Sequence, residues 1–175
     1  SNQGVVASDT SGVGAVRGWL AATGYGEDKA IFGFGFLSPG NANTGITNLV
    51  SNTGVVASDT AGVGTARILL AAAVYGGDKA IFGFGRIATS GSSGTAITNL
   101  VSNEGVVASD TSGVGTARNE LAAAAFGGDK AIFGFGTTGS TSNLSNLVSN
   151  QGVVASDTSG VGTARNVLAA AEFGG

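Results

Sequence analysis

An all-β array of stacked sheets is the fold class the sequence predicts, and three observations predict it. A long block recurs: the glycine ahead of V-V-A-S-D-T stands at Gly4, Gly54, Gly105 and Gly152, at spacings of 50, 51 and 47 residues. Within each block the stretch K-A-I-F-G-F-G alternates in side-chain size with period two, as a strand does. The 32 glycines follow no Gly-X-Y period and punctuate the blocks with turns. Recurrence at this length marks an array whose units bury their faces only against one another.

Composition narrows the class further. Hydrophobic residues make up 42% and charged residues 11%, a mix that builds a core and argues against disorder. The net charge of -3 leaves no basic patch, so no nucleic-acid partner is expected. With no Cys and no His, the sequence excludes disulfides, thiol catalysis, Cys/His zinc sites, Ser-His-Asp triads and histidine proton shuttles. The longest apolar run, Ile68–Tyr75, is too short to cross a bilayer, and no signal-peptide pattern is visible. A soluble chain with no membrane partner is expected. Because it starts at Ser1 without Met, the chain reads as a processed or trimmed piece.

The elements follow in order from the best copy, GTARNELAAAAFGGDKAIFGFG at Gly115–Gly136. The predicted organisation is an outer strand over 4–13, full units over 14–60, 64–111 and 115–158, and an inner strand over 162–175. The first segment of a unit, T-A-R-x-x-L-A-A-A-x-(Y/F), has a competing helical reading, with Thr116 as N-cap and Gly127-Gly128 as C-cap. The other copies place Gly18, Thr23 and Gly24, or Ile68, Val74 and Tyr75, in the same slot. Each interior glycine costs a helix about 1 kcal/mol, so a strand is preferred. In the second segment Ala131, Phe133 and Phe135 should face one way, and Ile132, Gly134 and Gly136 the other. Phe rings of one sheet would then sit over glycines of the next. Each ring buries on the order of 150–250 Å², at most about 4–6 kcal/mol at about 25 cal/mol/Å². The loops Phe36–Gly45, Arg86–Ala96 and Thr137–Asn143, of ten, eleven and seven residues, absorb the differences in spacing. The segments I-T-N-L-V-S-N and V-V-A-S-D-T read as third and fourth strands.

In this order Arg118, Leu121–Ala125, Gly127-Gly128, Ile132-Phe133, Gly134 and Gly136 resemble the kelch-type β-propeller repeat. The resemblance covers nearly the whole chain. Its departures are Gly-Phe-Gly in place of the double glycine and no aromatic at the later Tyr and Trp positions. It implies an all-β propeller of four-stranded antiparallel blades, about three and a half repeats per chain. Such regular repeats are similar to kelch-like proteins of phage and environmental sequences, which implies a virion-associated or extracellular setting. Three full blades with a lone strand at each end would leave apolar faces open. The expected partner is therefore the chain itself, a homodimer completing a ring with imperfect junction blades; a fragment of a longer propeller is the second reading.

Recurrent ionic residues are candidate ligands: Asp9, Asp59, Asp110 and Asp157; Arg17, Arg67, Arg118 and Arg165; and the Asp-Lys pairs at 28-29, 78-79 and 129-130. Their presence in every copy favours pairing within a blade or capping of the S-G-V-G turn. GVGTAR lacks the G-x-G-x-x-G spacing and no G-x-S-x-G occurs. Glu27, Glu104, Glu120 and Glu172 break the repeat singly and read as surface residues. No catalytic, cofactor or metal residue is predicted, and an enzyme is not expected.

Variation between copies is more informative. The two residues after the inner-strand arginine are Gly18-Trp19, Ile68-Leu69, Asn119-Glu120 and Asn166-Val167, and the loop after the second strand varies as well. In an up-and-down unit both emerge at one end. The candidate binding face is therefore Trp19, Phe36, Leu37, Ile68, Leu69, Arg86, Ile87, Asn119, Glu120 and Asn166, with a protein or glycan ligand expected. Drift at tolerant positions is the competing explanation. The alternative function is a structural building block of a viral particle, a fibre or an engineered symmetric assembly.

Overall fold

The computed structural model describes residues 11–91, 94–160 and 162–172. Among them all regular structure is strand, in four three-stranded antiparallel sheets, and no helix occurs. The strands are β1 Arg17–Gly18, β2 Ala21–Tyr25, β3 Lys29–Gly33, β4 Phe36–Leu37, β5 Ala42–Asn43, β6 Thr47–Val50, β7 Ala71–Tyr75, β8 Lys79–Gly83, β9 Thr98–Val101, β10 Ala122–Phe126, β11 Lys130–Gly134 and β12 Ser145–Val148. Three equivalent sheets, β2-β3-β6, β7-β8-β9 and β10-β11-β12, are the repeat units, and β1-β4-β5 is a small sheet at the end of the first.

The alanine-rich segment is a strand, as preferred. Ala71 to Tyr75 pair with Gly83 to Lys79 in unbroken register. Its residues touch a neighbouring sheet as well as their own, and a two-sided burial of small side chains suits a pleated strand more than a helix. At the hairpin end Gly76 and Gly77 take left-handed φ of 63° and 82°, which reverses the chain into β8.

Two end elements differ from expectation. The fourth segment is no continuous strand: it touches the third at isolated bridges such as Val50↔Val56 and Thr47↔Thr60. Those bridges span one residue more on the outer side than on β6, a bulge that breaks the ladder and leaves Asp59 within hydrogen-bond reach of Asn48. The predicted inner strand over 162–175 forms, among residues 162–172, only the bridge Ser142↔Arg165. The predicted outer strand over 4–13 and Asp9 lie, up to residue 10, outside the described residues, as do 173–175.

The sheets stack by seating rings in glycine gaps. A Cβ on Gly33 would come 2.7 Å from Cζ of Phe82, and one on Gly83 would come 2.5 Å from Cζ of Phe133. Only hydrogen fits there. Between the first two sheets Tyr25, Ile31 and Phe34 meet Leu70, Ala80, Phe82 and Val101. Between the next two, Tyr75, Ile81 and Phe84 meet Leu121, Ala131, Phe133 and Val148.

The expected facing of the second phenylalanine is overturned. Phe34, Phe84 and Phe135 take left-handed φ of 63°, 61° and 65° just past the strand end. That turn breaks the period of two, so Phe84 faces the following sheet while Phe82 faces the preceding one. Phe84 lies 5.1 Å from Phe133, centroid to centroid, and the Arg118 guanidinium stands 4.8 Å over its ring. Phe34 meets Phe82 at 5.2 Å and Arg67 at 4.2 Å in the same way.

Phe133→Ala is expected to lower unfolding free energy by about 3–5 kcal/mol, the cost of a large cavity. Phe32→Ala, at an equivalent position but 37% exposed, should cost less than about 1 kcal/mol. Urea unfolding at low protein concentration compares the two.

Candidate binding rim

A polar tie inside each repeat positions the variable end. In the second repeat Asp110 on the outer segment accepts from Thr65 Oγ1 at 2.6 Å, Thr65 N at 3.0 Å and Asn99 Nδ2 at 2.9 Å. Arg67, fully buried, donates to Asn99 Oδ1 at 2.6 Å and to the Phe84 carbonyl at 2.9 Å. The third repeat copies this with Thr116, Asn146, Arg118 and Asp157, adding a direct Arg118–Asp157 ion pair at 3.3 Å. In the first repeat the Ala15 amide and Asn48 hold Asp59, while Arg17 reaches Asn48. The recurrent Asp and Arg thus fasten the outer segment to the inner lead-in. The Asp-Lys neighbours form surface ion pairs at 2.6–3.2 Å, which contribute little.

Charge states follow from these contacts. Burial raises the Asp110 carboxyl, but hydrogen bonds from Thr65 and Asn99 and the Arg67 charge outweigh it and hold it below the usual range. Asp157 is lowered on the same balance by Thr116, Asn146 and Arg118. Burial brings the Arg67 guanidinium down to about 10, against the pull of Asp110, so it stays charged at neutral pH.

Two residues beyond each arginine the backbone turns left-handed. Trp19, Leu69, Glu120 and Val167 have φ of 52°, 55°, 55° and 52°. They are linked in a row: Leu69 N–H donates to the Trp19 carbonyl, Glu120 N–H to that of Leu69, and Val167 N–H to that of Glu120, each at 3.0 Å. Left-handed geometry costs a residue with a Cβ on the order of 1–3 kcal/mol, and a β-branched valine adopts it least readily. A bond to the neighbouring repeat at each position fixes the strained turn. The four side chains and Leu20, Leu70 and Leu121 line a shallow cleft of about 380 Å³.

The second variable stretch arrives at the same end. Arg17 and Gly18 pair with Leu37 and Phe36, Ile68 bridges Arg86, and Asn119 bridges Thr137. Trp19, 55% exposed, lies 5.3 Å from Phe36 between ring centroids. Asn43 Nδ2 donates to the Ile87 carbonyl at 2.9 Å, joining the first loop to the second.

Of the sequence-predicted face, Trp19 and Ile87 are exposed, and Phe36, Leu37, Leu69, Arg86, Glu120 and Asn166 are half-buried. Ile68 and Asn119 are corrections: both are buried and present no side chain to a ligand. They precede the left-handed residue, and that turn points the two neighbours in opposite directions. Asn166 Nδ2 donates to Glu120 Oε2 at 2.5 Å. The preceding counterpart of Glu120 is Leu69, so Asn119 Nδ2 meets no acceptor and is buried unpaired. Val167, 80% exposed, completes the row, and its sequence equivalence to Trp19 was the signal for it.

No protein-family model and no curated protein matches this chain. No helix among the described residues is long and apolar enough to cross a membrane. Nor does any group of three or more Asp and Glu stand together as metal ligands among them. The rim offers an aromatic pair, apolar side chains and one carboxylate, a set suited to contact and stacking.

The lowered Asp110 and Asp157 give a signed pH dependence. Their stabilisation is complete above the unfolded-state value of about 3.9 and is lost as pH falls through the lower folded values. Tm measured against pH should therefore drop below about pH 4. The D110N/D157N variant should start from a lower Tm at pH 7 and show a shallower fall.

Proposed function

We propose that this chain is a non-enzymatic scaffold of the β-propeller type, resembling kelch repeats, that recognises a protein or glycan through its varied rim. One observation carries the reading. Four equivalent positions share one strained backbone geometry and one hydrogen-bond pattern, yet hold Trp, Leu, Glu and Val. Where the backbone is held constant and the side chains differ, sequence change alters the surface without altering the support. The exposed Trp19 beside Phe36 suits the face of a sugar ring or an apolar side chain.

A second reading, the building block of a particle or fibre, is favoured by Phe32 and Leu147, apolar side chains exposed at the two ends of the described sheets.

The chain has a single tryptophan, so rim occupancy is directly visible in its fluorescence. Arrays of oligosaccharides and of surface proteins probed with the intact chain should retain ligands that shift Trp19 emission. The W19S/L69S double variant should weaken retention by about 2 kcal/mol, roughly 30-fold in Kd. Equal retention by the variant, or retention with no change in emission, contradicts the rim as the site.

A further inference from the structure

The same joint is made twice inside the chain, and its two halves stand unpaired at the ends of the stack. The ring of Phe82 fills the gap over Gly33, and that of Phe133 fills the gap over Gly83. Both rings are fully buried. Phe32 is the same residue of the first repeat; no sheet precedes it among the described residues, and it is 37% exposed. Gly134 is the same glycine of the third repeat, and a Cβ built on it meets nothing within 4 Å among the described residues.

A second contact repeats the pattern independently. Gly105 nests against Tyr25 and Leu49 of the preceding repeat, and Gly152 against Tyr75 and Leu100. Their counterpart Gly54 meets nothing within 4 Å among the described residues. At the other end Phe126 and Leu147, the counterparts of each Tyr and Leu, border an open cleft, and Leu147 is 45% exposed. One end thus carries a ring and a glycine to be received, and the other carries the glycine gap and the aromatic cradle that receive them.

We infer that a second copy of this chain docks head to tail, its first repeat sheet stacking on the third repeat sheet of the copy before it. Phe32 enters the gap at Gly134 and Gly54 settles on Phe126 and Leu147. Residues 162–172 now lie across the inner part of that face, with Arg165 stacked 4.2 Å over Phe135 and Leu168 bordering the cleft that Gly134 lines. They repeat the lead-in sequence of every unit, Arg165 for Arg17 and Leu168 for Leu20. The incoming copy brings the same contacts together with two further strands, and it takes their place. Because unlike faces meet, the contact is heterologous, so each copy retains one free end of each kind until an array closes. The inference stands on the end faces alone and is independent of any rim ligand.

Sedimentation velocity of the full chain over a concentration series tests it, with Phe32→Ser and Gly134→Val as variants. Both substitutions sit on open faces, and Gly134 has no left-handed φ, so each variant should keep the wild-type circular dichroism. The wild type should sediment faster as concentration rises, and each variant alone should remain a monomer. An equimolar mixture of the two should form a heterodimer and stop there, since F32S retains the gap and G134V retains the ring. A wild type that stays monomeric overturns the proposal and leaves these faces to a different partner. Variants that associate like the wild type, or folded variants that fail to pair when mixed, overturn it too.

Discussion

The seat of a phenylalanine ring over a glycine of the neighbouring sheet sets the rest of this structure. With no Cβ at Gly33 or Gly83, the ring of Phe82 or Phe133 descends to the backbone of the next sheet. The sheets approach closely enough for that ring to meet the second phenylalanine, which turns back from the strand end in a left-handed conformation. An arginine from the following repeat then stacks over that second ring. Removing the Cβ is therefore what lets two rings and a guanidinium share one joint. A repeat has both halves of this joint and cannot satisfy either alone, so stability is a property of the stack.

The arginine connects that packing to the polar tie. Burying a guanidinium is costly without partners; Arg67 is met by Asn99 and the Phe84 carbonyl, and Arg118 by Asn146, the Thr116 carbonyl and Asp157, with its Nε left unpaired. Each tie fixes the two residues that follow, so the left-handed turn at Leu69 or Glu120 is imposed from both sides. Side-chain identity there is free of the conformational demand that would otherwise select Gly or Asn. Trp, Leu, Glu and Val can then occupy equivalent places, and a constant interior carries a rim that differs from repeat to repeat.

Much of this was legible in the sequence because it is periodic. The spacing of F-G-F-G announced rings and gaps, and the recurrence of Asp with Arg announced a structural tie. The glycines of the alanine-rich segment argued for strand against helix. What sequence could not show was backbone handedness. Phe84 and Leu69 are residues for which positive φ is unfavourable, so no local rule assigns it to them. From that one omission come both errors of placement, the facing of the second phenylalanine and the burial of Ile68 and Asn119. The broken fourth strand was hidden for a related reason, since a one-residue bulge leaves V-V-A-S-D-T with an ordinary strand composition.

The most direct measurement of the central claim is a double-mutant cycle across one joint, with Gly83→Ala and Phe133→Leu followed by denaturant unfolding. Alanine at 83 intrudes on the ring and leucine at 133 withdraws from it, so each alone should destabilise. The pair should cost less than the sum of the two by about 1 kcal/mol or more, within the range for residues in contact. Additive losses would contradict the account, because they would mean that the ring and the glycine gap do not depend on each other.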